Sequence, residues 1–189
     1  MLKNVKTLWL PILFLLLVTL ACNFTLTGPK PPSSPIPVTT EAVGSLMKTL
    51  ESAQTQAQLS GDINVSFNEA QLTSVVALEL QNQGQTSIQN PQIFLRDGQV
   101  QVFGTVDYQG ISSTARVILK PALDPDGQPV FTVNSAKLGP FPIPSDYVQD
   151  IQTEINRVFT AQLAEIAPNT RFEQIIIANG ILTISGHTR

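Results

Sequence analysis

From Pro91 to Leu138 the chain alternates apolar and polar residues with a period of two, and turn-forming residues interrupt it three times. That pattern restricts the middle of the molecule to an antiparallel meander. Asp97-Gly98 is expected to join a strand over Ile93–Arg96 to one over Gln99–Tyr108. Gly110 marks a second reversal, and the run from Asp124 to Gly127 a third, each with turn chemistry that supplies its own bend. In the second strand Val100, Val102, Gly104, Val106 and Tyr108 share one face, while Gln99, Gln101, Thr105 and Asp107 share the other. One face is expected to be buried and the other wet. The segment Leu138–Pro144 ends the meander, because its three prolines cannot donate to a ladder.

Helical periodicity flanks the meander on both sides. A helix is predicted from Thr39 or Thr40 to about Leu59, with Val43, Leu46, Met47, Leu50 and Ala53 or Ala57 on one stripe. A strand over Asp62–Phe67 follows, and then Asn68 and Gln71 stand at capping-box spacing, with Phe67 and Leu72 at the positions of a hydrophobic staple. This second helix turns Leu72, Val75, Val76 and Leu80 inward and ends at Asn82-Gln83-Gly84. Beyond the prolines, Ser145-Asp146 opens a long amphipathic helix to about Ile166, carrying Val148, Ile151, Ile155, Val158 or Phe159, Gln162 or Leu163, and Ile166. It is on the order of 30 Å long at 1.5 Å per residue, so a small sheet must curve to cover it.

A last hairpin runs from Phe172–Ile177 to Ile181–Gly186 around Asn179-Gly180. The segment Ile93–Gly104 aligns with Ile175–Gly186 without a gap, and each follows an amphipathic helix. A repeated helix-then-hairpin unit explains this, and so does the general likeness of any two hairpins with turn glycines. The expected class is α+β: a curved antiparallel sheet, made of the meander and the terminal hairpin, wrapped around the long helix, with additional N-terminal helices.

The N-terminal residues carry a different message. Lys3 and Lys6 precede an apolar run from Leu8 to Leu20, followed by Ala21-Cys22. These are the parts of an export signal, and the run is shorter than the roughly 20 residues that cross a bilayer. Val18–Cys22 looks like a bacterial lipobox with Thr19 where Leu is usual. Thr19 and Ala21 also suit the ordinary signal peptidase, and an uncleaved anchor is a third possibility. Cys22 is the single cysteine, so no internal disulfide can form and the residue needs another explanation. Lipidation supplies one, and buried acyl chains hold a protein to a membrane without spanning it. The expected organisation is a signal over residues 1–21, a Pro/Ser-rich tether over 22–38 in semi-rigid extended geometry, and one domain over 39–189. The expected location is the extracytoplasmic side of the cell membrane.

Eleven Lys and Arg face 14 Asp and Glu, and loss of Lys3 and Lys6 with the signal makes the balance more acidic. Nucleic acid, whose binding rests on cations neutralising phosphates, is not an expected partner. His187 is the single histidine and reads as a tail residue, so Cys/His and Ser/His/Asp systems lack a base. No Cys/His spacing suits zinc, the Asp124–Gly127 run reads as a turn, and Asp146, Asp150, Glu154 and Glu165 read as a solvated helix face. A non-catalytic chain without a cofactor is expected. What remains is apolar surface, which a closed core and a ligand groove would line with the same residues.

Residues from about Ile63 to Gly186 resemble the LmeA-like phospholipid-binding family of exported or lipid-anchored bacterial proteins. The resemblance lies in Phe67–Leu72 opening a helix, in Pro91–Gly104, in Ser135–Pro144 leading to the long helix, and in Ile175–Gly186. It implies a curved sheet around a long helix, similar to the tubular lipid-binding domains of the bactericidal/permeability-increasing type, and phospholipid binding outside the cytoplasm. The chain departs from that pattern in its helix over Thr39–Leu59 and in having no obvious cation cluster for a headgroup, with Arg96, Arg116, Lys120 and Lys137 as the available cations. On this basis a phospholipid or another acyl-chain ligand is expected against Ile151, Ile155 and Phe159 of the helix and Val100, Val102 and Val106 of a strand. The competing expectation is a solid-core protein of the cell envelope that meets a protein partner.

Overall fold

A computed structural model describes residues 28–82, 84, 88–108 and 111–188. The chain is α+β, with three helices and two antiparallel sheets among the described residues. In order these are α1 (Thr40–Ser60), β1 (Asp62–Asn68), α2 (Glu69–Asn82), β2 (Ile88–Arg96), β3 (Gln99–Tyr108), β4 (Ile111–Leu123), β5 (Pro129–Leu138), β6 (Phe141–Pro142), α3 (Ser145–Ile166), β7 (Thr170–Ala178) and β8 (Ile181–Thr188).

The meander β2-β3-β4-β5-β6 forms a five-stranded sheet in sequence order, and β1-β8-β7 forms a separate three-stranded sheet. The single sheet expected from the sequence is therefore divided. The division has a local cause on each side. The prolines after Leu138 limit β6 to two residues, and β8 finds its second neighbour in β1, in continuous register from Asp62 opposite His187 to Asn68 opposite Ile181. Side chains reinforce that pairing: the Ser66 and Thr183 hydroxyls lie 2.9 Å apart, and the Thr188 hydroxyl donates to the Gly61 carbonyl at 3.1 Å.

The turns follow their sequence chemistry. Asp97 and Gly98 have φ of 54° and 70°, and Asn179 and Gly180 have 52° and 75°. Two successive positive values are what a tight hairpin of the right twist requires. At the third reversal Asp124 Oδ1 accepts from the amides of Asp126 and Gln128 at 2.9 and 2.7 Å. The second reversal, at Gly110, lies outside the described residues. The internal echo extends beyond the turns. Its closing glycine, Gly104 in one hairpin and Gly186 in the other, faces a β-bulge in the partner strand, between Gln89 and Gln92 in β2 and between Phe172 and Gln174 in β7.

The β2 edge of the larger sheet, and the stretch of β5 that the short β6 leaves unpaired, are closed by polar side chains from helices. On β2, the Leu95 amide donates to Glu69 Oε1 at 2.7 Å and the Ile93 amide to Thr73 Oγ1 at 2.9 Å, both acceptors on α2. On β5, the Val133 amide donates to Gln152 Oε1 at 2.9 Å, while Asn156 accepts from the Phe131 amide at 2.7 Å and donates to its carbonyl at 2.9 Å. The geometry matches because four helical residues advance about 6 Å and two strand residues about 6.6 Å. Each helix runs antiparallel to the edge it covers, and an edge so covered cannot recruit another strand. The long helix thus lies along β5 through its amides. Ile155 and Phe159, beside those amides, pack on the core.

The face of the meander expected to be wet carries a buried aromatic pair. Phe94 and Phe103 are 2% and 4% exposed, and their rings meet edge to face at 5.8 Å. Gln92, paired with Phe103 on that face, exchanges two hydrogen bonds with the backbone of Ile36, at 2.6 and 3.1 Å. At the other end of the Pro-rich stretch, Gly28 approaches Gly139 so closely that a Cβ would lie 2.8 Å from its Cα. The part of the expected tether from Gly28 to Ile36 therefore touches the domain at two places. Thr39 then starts α1: its amide donates to Ser74 Oγ and its hydroxyl accepts from the Ala42 amide, each at 3.1 Å.

Candidate functional site

The site is built outward from the capping box. The Asn68 amide donates to Gln71 Oε1 and the Gln71 amide to Asn68 Oδ1, both at 2.9 Å, as their spacing predicts. Gln71 is 5% exposed, and its remaining amide protons reach Ser45 Oγ at 3.0 Å. One buried glutamine thus starts α2 and fixes α1 beside it. Gly61 ends α1 in the left-handed conformation, and its amide caps Ala57. The stripe of Leu46, Leu50, Ala53 and Ala57 is thereby laid over β1 and the core.

A cavity of about 260 Å³ remains under α1. Ile63, Val65, Leu182 and Ile184 of β1 and β8 form its floor, and Leu46, Met47 and Leu50 its roof. Phe67, Leu72 and Val75 close the α2 side, and Phe159, Ala167 and Phe172 the far end. None of the lining residues has a polar side chain. Met47, half exposed, stands at the rim. Phe159 is held in place by Phe131, whose ring it meets edge to face at 4.8 Å.

The six residues expected to form an apolar wall do not line one groove. Phe159 alone borders this cavity. Val100 is buried in the core, and Val102 and Ile155 pack against it. Val106 and Ile151 are half-buried outside that cluster. Cys22 lies outside the described residues. Leu46, Met47 and Leu50 on α1 and Leu72 and Val75 on α2 border the cavity and were not among the six. Their helical stripes were legible, but periodicity does not tell a stripe that packs from one that roofs a space.

A second, wider cleft of about 600 Å³ lies between the two echo turns, near Arg96, Asp97, Asn179 and Gly180. Its cation is engaged: Arg96 forms an ion pair with Glu69, with a second bond at 3.2 Å, and donates to the Leu95 carbonyl at 2.9 Å. Arg116 and Lys137 are cross-strand neighbours on β4 and β5, and neither they nor Lys120 borders the apolar cavity. His187, read from the sequence as a tail residue, lies within β8 between Asp62 at 3.2 Å and Glu173 at 2.9 Å. On the exposed face of α3, the hydrogen bond from Arg157 holds the Glu154 carboxyl below its ordinary range. Among the described residues no group of three or more His, Cys, Asp or Glu side chains is placed to hold a metal ion, and no helix is long and apolar enough to cross a membrane.

No family model, curated protein or solved structure matches the chain.

Proposed function

We propose that the chain is a non-catalytic, membrane-anchored extracytoplasmic lipoprotein that holds one apolar chain, from a phospholipid or another acyl ligand, in the cavity under α1. The observation that carries this reading is a space of about 260 Å³ without a polar lining side chain. A 150 Å³ apolar cavity stays dry and accepts a benzene-sized guest, so this one suits a larger hydrocarbon. Left empty, an apolar space of this kind forfeits the packing contacts of the side chains that line it. An occupant removes that penalty. The volume suits part of one acyl chain, and with no polar partner inside, a headgroup stays outside the rim at Met47. A methionine there can adapt to guests of different shape.

In this reading the enclosing elements are α1, the smaller sheet and Phe159 of α3. The sheet-around-helix arrangement enters only through α3, set along β5 with Ile155 and Phe159 turned to the core. The anchor is Cys22, after the basic and apolar segments of the export signal. The rival reading, an envelope interaction protein with a filled core, draws on the packing of Val100, Val102 and Ile155 in one cluster.

Val75→Phe separates the two. Native mass spectrometry of the full-length protein, released from bacterial membranes in mild detergent, should show one non-covalent lipid mass, which organic extraction identifies. Phenylalanine at position 75 should fill part of the space, remove that adduct and leave the unfolding temperature unchanged or higher. If the core is already filled, the same ring overpacks it, costing about 1–3 kcal/mol, and there is no adduct to lose. A wild-type protein that stays free of lipid after incubation with vesicles rules the proposal out.

A further inference from the structure

The β5–β6 corner gathers apolar surface that the fold does not use. Phe141 and Tyr147 are 65% and 64% exposed, and Leu138, the cross-strand partner of Phe141, is 36% exposed. Ile88, 43% exposed, begins β2 at the same end of the sheet at which β5 finishes and α3 starts. Four of the exposed large apolar side chains thus collect at one end of the meander. Isolated exposed apolar residues need no explanation, but a cluster does.

The path of the N-terminal segment says what covers it. Gly28 lies against Gly139, inside the β5–β6 turn. Cys22 is six residues earlier, and six residues span at most about 22 Å when fully extended. If Cys22 carries the lipid anchor, the membrane surface is within that distance of Gly28, which lies against the β5–β6 turn. The Pro-rich stretch beyond Gly28 lies along the domain as far as Ile36, so it adds no stand-off. The cations beside the corner, Lys137 and Arg116, are accompanied by Asp146 at the start of α3. Charge therefore does not select the surface, whereas exposed aromatic and aliphatic side chains suit the boundary between headgroups and acyl chains.

We infer that this corner, led by Phe141 and Tyr147 with Leu138 beside Phe141 and Ile88 three strands away at the same end of the sheet, docks in the membrane interface and seats the domain on the bilayer. The inference rests on the lipid-anchor reading above. The test reconstitutes the full chain in phosphatidylcholine vesicles with brominated acyl chains, which quench tryptophan on contact. Phe141→Trp is compared with Ile176→Trp, an exposed strand residue in the other sheet; the lipidated protein has no other tryptophan, because Trp9 leaves with the signal. Phe141 is largely exposed, so the replacement does not disturb the core. The expected result is flotation of both proteins with the vesicles, at least about twofold quenching at position 141 and little at 176. Flotation with equal or absent quenching overturns the docking face and leaves the anchor standing. A blue-shifted but unquenched signal at 141 overturns it too, and assigns the corner to a second copy or another protein. Failure to float removes the anchor and the docking face together.

Discussion

Gly186→Ala is expected to lower the unfolding temperature far more than Gly104→Ala, although the two glycines close the two copies of one sequence pattern. Neither residue has a positive φ, so backbone conformation permits alanine at both sites. Space does not. A Cβ on Gly186 would lie 2.3 Å from the Arg171 carbonyl oxygen and 2.6 Å from the Phe172 Cα, both backbone atoms of β7 at its bulge. These cannot turn aside, so β7 and β8 must separate, and the loss should be on the order of 4 kcal/mol, at the upper end for single substitutions. A Cβ on Gly104 meets the Ile88 Cγ2 at 3.3 Å and the Gln89 carbonyl at 3.5 Å. Ile88 is at the sheet's exposed end and can rotate, and the lower entropy of the unfolded alanine chain offsets about 0.4–1 kcal/mol. Its net change should stay within about 1 kcal/mol of zero. Thermal unfolding of the two variants decides the matter; equal shifts would mean that the β7 bulge relaxes freely.

The second large effect is expected at the β5 edge. Asn156→Leu keeps a side chain of similar size on α3 but removes both partners of Phe131, a residue only 6% exposed. An unsatisfied buried amide and carbonyl cost about 1–3 kcal/mol each, so a total of about 2–6 kcal/mol is expected, or on the order of 10 °C in unfolding temperature for a domain of this size. Asn156→Asp retains the acceptor for the Phe131 amide and loses the donor to its carbonyl, so its loss should fall between wild type and Asn156→Leu. Adding Gln152→Leu frees the Val133 amide as well and leaves a run of β5 unpaired, which should appear as concentration-dependent association. Stability falling equally in Asn156→Asp and Asn156→Leu would show that packing, and not the two bonds, holds α3 to the strand.

These edge contacts also mark how far the sequence could be read. Features set by neighbours within a few residues were legible: the reciprocal bonds of Asn68 and Gln71, the Asp97-Gly98 and Asn179-Gly180 turns, and the start of α3 at Ser145. Gln152 and Asn156 were not, because a period-3.6 reading sorts residues by apolarity and treats amides flanking a stripe as solvent-facing. Glu69 and Thr73 were overlooked for the same reason. Phe103 stands among polar residues on its face of β3, and the alternation hides it. The division into two sheets was illegible because the pairing of β1 with β8 joins residues as much as 125 positions apart, and no local pattern encodes a partner at that distance. The cavity combined both difficulties: its residues were recognised as apolar, but its shape depends on how α1 is set over sheet residues from opposite ends of the domain.

The place of β8 between β1 and β7 also sets the timing of folding. The smaller sheet, which floors the cavity, cannot assemble until the segment over Ile181–Thr188 is present, more than a hundred residues after β1 has been made. Closing so long a loop is entropically unfavourable and slow. The meander, by contrast, can pair each strand with the one just before it. The chain therefore keeps its first strand unpaired and its apolar cavity unformed until its last strand is present.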